Sequence, residues 1–117
     1  MKEDSNIRVA QVIGYDKIVI NKGIVDGIDA DMEFLVYVEG SEIKDPISGN
    51  SLGNLEKPKG FFRTFHIQEK MTTLIAKLSK QDPVFSLMPF AEKNPEIEAL
   101  KTIRIGDKVK IINLIKK

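Results

Sequence analysis

Ser51 stands in the pentapeptide Gly49-Asn50-Ser51-Leu52-Gly53, which spells the G-x-S-x-G nucleophile elbow of serine hydrolases. Such an elbow presents its serine on a sharp turn between a strand and a helix, with a histidine base further along the chain. The surroundings point elsewhere. Residues 40 to 53, Gly-Ser-Glu-Ile-Lys-Asp-Pro-Ile-Ser-Gly-Asn-Ser-Leu-Gly, are dense in turn formers. The single histidine, His66, follows in a run of alternating residues with no aspartate between it and Ser51. A hairpin accounts for the pentapeptide without catalysis.

Asp26, Asp29, Asp31 and Glu33 form the densest acidic cluster and offer oxygen atoms suited to a hard cation such as calcium. Their spacing does not match an EF-hand loop, because Gly27 precedes Asp29 and Asp31 instead of following them. Aspartates recur in turns because their carboxylates bond nearby backbone amides, and Asp45 before Pro46 has the same explanation. His66 has no readable partner for acid–base work. Zero cysteines remove disulfides, thiolate nucleophiles and sulfur-dependent zinc sites, and no glycine-rich phosphate loop of Walker or dinucleotide type occurs. We therefore expect a non-enzymatic protein with no cofactor and no metal site.

The chain has 117 residues, enough for one hydrophobic core. Apolar residues make up 42% and charged residues 30%, a globular composition. Eighteen basic side chains against seventeen acidic ones leave a formal charge of +1, so no global field draws the protein to nucleic acid or anionic lipid. No apolar run approaches the length of a spanning helix, and Met1 to Asn6 mixes both charges. As written the chain reads as cytoplasmic without membrane insertion; it would be envelope-associated if Met1 opens an excised domain.

The elements that must position these groups are mostly strands. Ile7, Val9, Gln11 and Ile13 alternate with Arg8, Ala10 and Val12, then Gly14-Tyr15-Asp16 turns the chain into Ile18-Val19-Ile20. Gly23 and Gly27 mark a structured connection, read as backbone positions disfavoured for residues with a Cβ. Phe34, Val36 and Val38 share one face and Leu35 and Tyr37 the other, as in a strand covered on both sides. Residues 40 to 53 read as a long hairpin connection, with strand resuming near Leu55. Phe61, Phe65 and Ile67 share a core-facing side, which leaves Phe62 exposed, and this run pairs with Met71 to Leu78. Asn94-Pro95 followed by early acids predicts a short helix over 95–101. Lys108 to Ile115 supplies a closing strand. The expected fold is all-β: a six- or seven-stranded antiparallel barrel or roll with one short helix. It forms a single domain over 7–117, with a flexible N-terminus at 1–6 and an irregular, partly helical insertion at 79–104.

Ile20-Asn21-x-Gly23, Asp26-Gly27-Ile28, Phe34-x-Val36-Tyr37, Ile43-x-Asp45-Pro46-x-Ser48-Gly49 and Leu52-Gly53 follow one another at a spacing that resembles the C-terminal domain of the bacterial flagellar assembly protein T family. The resemblance covers about residues 7 to 78, with an echo at Ile105-Gly106-Asp107-Lys108-Val109. It implies a small β-barrel, met also in other bacterial envelope-associated proteins, and a habit of protein association; it carries no catalytic residue. Ala30 departs from the pattern, standing where such barrels often have a second glycine.

Two surfaces remain for function. The hairpin contributes Asp45, Pro46, Ser48 and Gly49, and the aromatic-basic run Phe61-Phe62-Arg63-Thr64-Phe65-His66 contributes Phe62 and Arg63. The expected role is a non-catalytic module that binds an unidentified protein partner or a second copy of itself through strand edges and loop tips. The alternative is a barrel for single-stranded nucleic acid, with Phe62 and His66 stacking on bases and Arg63 and Lys59 meeting phosphate. The near-neutral charge disfavours that alternative.

Overall fold

The computed structural model describes residues 6–78 and 95–114. In chain order the elements are β1 (Val9–Ile13), β2 (Lys17–Ile20), a 3-10 turn (Ile24–Asp26), β3 (Met32–Lys44), β4 (Ser51–Ile67), β5 (Thr72–Ala76), α1 (Pro95–Leu100) and β6 (Lys108–Leu114). The expected N-terminal tail and 79–104 insertion fall largely on residues 1–5 and 79–94, which lie outside the described residues. Among the described residues no helix is long and apolar enough to cross a membrane.

The six strands form one antiparallel sheet in the order β1-β2-β5-β4-β3-β6. Three neighbours are hairpins, and the pairs β2–β5 and β3–β6 join distant parts of the chain. The outer strands also touch: Arg8 and Lys108 form an isolated antiparallel bridge. Beside it the Val9 N–H donates to the Asp107 carbonyl at 3.0 Å and the Val109 N–H to the Ile7 carbonyl at 3.1 Å.

One face of the sheet builds the core, and the registers show how. Val9, Ile20, Thr72 and Ile67 lie in one row across four strands; Ala76, Phe62, Phe34 and Ile111 lie in another. Thr72, a buried polar residue, donates its hydroxyl to the Lys22 carbonyl at 2.8 Å, so burial leaves no unmet bond. A third row runs Gly60, Val36, Val109. A Cβ on Gly60 would collide with Leu100, so the missing side chain makes the space into which α1 packs. Leu100 and the following Ile103 are both buried there.

The glycine connection works by two different means. Gly27 closes the 3-10 turn at φ 88°, a left-handed conformation that L side chains resist. Gly23 has extended backbone, but a Cβ there would lie 2.6 Å from both the Glu69 carbonyl oxygen and the Met71 nitrogen. Its neighbours Ile24 and Val25 donate their N–H groups to the Gln68 and Glu69 carbonyls at 2.9 and 3.1 Å, so this connection is pressed against the β4–β5 turn. Asn21 fastens the chain on the other side. Its side-chain carbonyl accepts the Arg8 N–H at 2.8 Å and its amide donates to the Asn6 carbonyl at 3.2 Å.

Two expectations are corrected. The stretch 40–53 is not a long loop: β3 and β4 stay paired as far as Lys44 and Ser51, and the turn occupies only the residues between. The second correction concerns the Phe61–Ile67 run. Phe62 is 0% exposed and belongs to the core cluster, whereas Phe61 is 45% and Phe65 57% exposed. A register shift between Thr64 and His66 inserts Phe65 as an extra residue, and this reverses the facing of everything beyond it. Ile67 therefore shares the side of Phe62, not that of Phe61.

Candidate functional site

Among the described residues, β3 past Tyr37, which pairs with Lys108, has no further neighbour on its outer edge, and β4 before Phe61, whose carbonyl accepts the Lys77 N–H at 2.7 Å, has none on its own. Among the described residues the two strands thus leave the sheet as a two-stranded arm. Its turn is built by Asp45, Pro46, Ser48 and Gly49. The Asp45 carboxylate accepts the Ile47 N–H at 2.9 Å, its carbonyl accepts the Gly49 N–H at 2.8 Å, and its N–H donates to the Asn50 carbonyl at 2.8 Å. The Ser48 hydroxyl oxygen accepts the Asn50 N–H at 3.1 Å, and Gly49 takes φ 82°. Four of the sequence-derived site residues are therefore gathered at the tip, where they shape the turn. Pro46 fits its second position because its ring presets φ.

The residues that the turn displays are others. Ile47 is 93% exposed, and Ile43, Leu52 and Leu55 along the arm are exposed as well. The sequence placed Ile43 and Leu52 in the resemblance motifs and Leu55 where strand resumes, and marked none of the four as a contact residue; three of them, Ile43, Ile47 and Leu52, fall within the turn-forming stretch 40–53. The arm's edges are blunted against indiscriminate pairing by Pro58, by Lys44 and Lys57, and by register irregularities between Glu39 and Glu42 and between Ile43 and Lys44.

At the root of the arm, Glu39 and Glu56 are cross-strand partners. Lys108 reaches Glu39 at 3.2 Å and Lys110 reaches Glu56 at 2.7 Å, so two lysines of β6 clamp the place where the arm departs. Lys110 also lies 5.2 Å from the centre of the Tyr37 ring. Deeper in, Lys59 sits 2.8 Å from Asp107 and donates to the Thr102 carbonyl at 2.8 Å, which binds β4 to the turn before β6.

The remaining sequence candidates fall elsewhere. Arg63 is exposed on the outer face of β4 and is not joined to the tip cluster. Phe62, in the core, presents no surface. Ser51 accepts the Gly53 N–H at 3.1 Å, and on β4 it is separated from His66 by about 50 Å of strand. The acidic cluster is used in turns: Asp26 accepts the Gly23 N–H at 2.9 Å, Asp29 accepts the Asp31 N–H at 2.9 Å, and Glu33 pairs with Lys77 at 2.6 Å. Among the described residues no three His, Cys, Asp or Glu side chains converge as metal ligands would.

No family model matches the chain, and no curated protein is significantly similar to it in sequence.

Proposed function

We propose that the protein is a non-catalytic interaction module whose β3–β4 arm docks into a protein partner or into a second copy of the chain. The observation that supports this reading is the arm itself, a ribbon free of the sheet that carries Ile43, Ile47, Leu52 and Leu55 into solvent. A two-stranded ribbon gains little stability alone, so such a projection is suited to burying its apolar side chains against something else. Asp45, Pro46, Ser48 and Gly49 shape the tip and Ile47 is the anchor. The body, in this reading, is a small barrel completed by the contact between Arg8 and Lys108, a rigid base for the arm. The likeness of the Ile20 to Gly53 motifs to the flagellar assembly protein T domain fits the same role.

Sedimentation velocity across a range of concentrations, alongside a pull-down from cell extract read by mass spectrometry, tests it with Ile47→Asp/Leu52→Asp as the comparison. Both substitutions sit on exposed positions, so the fold should be retained. The expected result is self-association, or a discrete protein captured by the wild type, that disappears in the double variant. Association and captured proteins that are identical for both forms would overturn the reading, as would a monomer that captures nothing.

A further inference from the structure

We propose that the outer face of β4, from Phe61 to Phe65, is a binding site for single-stranded nucleic acid, distinct from the arm. Strand alternation sets Phe61, Arg63 and Phe65 on the outer side of β4, opposite the buried Phe62, and the register irregularity comes only after Thr64. Arg63 is exposed and makes no hydrogen bond or ion pair among the described residues, so its guanidinium is available to a phosphate.

Each ring has its own setting. Lys17, brought alongside by the row Ile13, Lys17, Ile75, Arg63 across four strands, lies 5.2 Å from the centre of the Phe65 ring. Phe61 forms one wall of a recess of about 220 Å³ between β4 and α1, otherwise lined mainly by Pro58, Leu78, Ala99 and Leu100. That is room for one flat ring system and is below the roughly 300 Å³ at which drug-sized sites begin. A base inserted beside Phe61, a phosphate at Arg63 and a base stacked on Phe65 follow the strand in order. Four residues of strand separate the two positions by about 13 Å of backbone, so the two bases are not adjacent nucleotides. Exposed aromatic rings interleaved with cations form a stacking platform for unpaired bases, and a duplex, whose bases are already stacked, gains nothing from it.

Two acids on this face are paired with lysines, and a third, Glu96, lines the recess beside Phe61. Glu33, opposite Arg63 in register, is paired with Lys77, and Asp16 stands 3.9 Å from Lys17. These pairs also neutralise Lys77 and Lys17, so Arg63 is the cation left over for a phosphate, and binding at this site is weak and salt-dependent.

Fluorescence anisotropy with a short fluorescein-labelled oligo(dT) at low salt tests the site, with a duplex of the same length as control. Micromolar binding is expected for the single strand and much weaker binding for the duplex. Phe61→Ala and Phe65→Ala should each reduce affinity about tenfold. Arg63→Gln should flatten the dependence of log K on log salt by about 0.7. All three positions are exposed, and circular dichroism checks that each variant is folded; should one aromatic variant unfold, the other and Arg63→Gln still decide. Absence of saturable binding at low salt, equal binding of duplex, or binding that survives all three substitutions would overturn the proposal. So would binding lost in Ile47→Asp/Leu52→Asp, since that places the oligonucleotide on the arm.

Discussion

Glu39 and Glu56 face one another across the β3–β4 ribbon, two like charges in direct register, and each is neutralised by a different lysine of β6. Like charges in that position repel and would splay the ribbon where it leaves the sheet. Replacing both lysines, Lys108→Gln/Lys110→Gln, should loosen the arm while the body stays folded. Because these pairs are partly solvated, the loss of global stability is expected to remain below about 1 kcal/mol. Hydrogen exchange read by mass spectrometry should show faster exchange over residues 38–57 and little change at Phe34 to Val36; uniform protection in both forms would refute the clamp.

The facing of β4 makes a second prediction. Phe62→Ala opens a cavity beside Phe34 in the core and should lower stability by about 3–5 kcal/mol. Phe65→Ala, at an exposed bulge, should change it by less than about 1 kcal/mol. Urea unfolding of both variants measures the contrast, and a reversed order would mean the strand faces the other way.

Gly23 and Gly27 should respond differently to alanine. At Gly27 there is open space and the penalty is conformational, about 1–2 kcal/mol for a left-handed φ. At Gly23 the added carbon meets backbone atoms of Glu69 and Met71, which cannot rotate aside as a side chain can. Gly23→Ala is therefore expected to lower the melting temperature more than Gly27→Ala does, a comparison that differential scanning calorimetry decides.

Asp107→Ala removes an acceptor used twice, by Lys59 Nζ at 2.8 Å and by the Arg104 N–H at 2.9 Å, at a site where both charged side chains are largely covered. It leaves an ammonium group with only the Thr102 carbonyl. We expect a loss of about 2 kcal/mol, partly restored in Lys59→Met/Asp107→Ala, where no charge is stranded. A double-mutant cycle by chemical denaturation gives the coupling; additivity would show that the pair contributes nothing.

The hairpin at Gly14, the helix opening at Pro95 and the final strand were legible because each rests on local chemistry: a turn glycine, a first-turn proline, an alternation of aliphatics. The arm was not, since Gly40, Ser41 and Asn54 have poor strand propensity, while ladder bonds join backbones whatever the side chains. Nor was the bulge at Phe65. With phenylalanine at 61, 62 and 65, either face of β4 reads as apolar, and only the pairing with β5 reveals that the alternation breaks partway. The recess beside Phe61 depends on α1 crossing Gly60, a contact between residues some forty positions apart that no local pattern encodes.

The bonds joining Ile7 and Val9 to residues near Lys108 span nearly a hundred positions of sequence, and β6 is the last described strand to be made. The β1–β2, β3–β4 and β4–β5 hairpins can close locally in microseconds, but the core row that includes Ile111 has no lid until β6 arrives. Closing a loop of that length precedes any reward from the contacts it brings, which places this protein among slow, high-contact-order folders. On the ribosome, Phe34 and Val36 must wait with one edge of their strand unpaired. Until β6 leaves the exit tunnel, the nascent chain presents an unpaired, aggregation-prone strand edge.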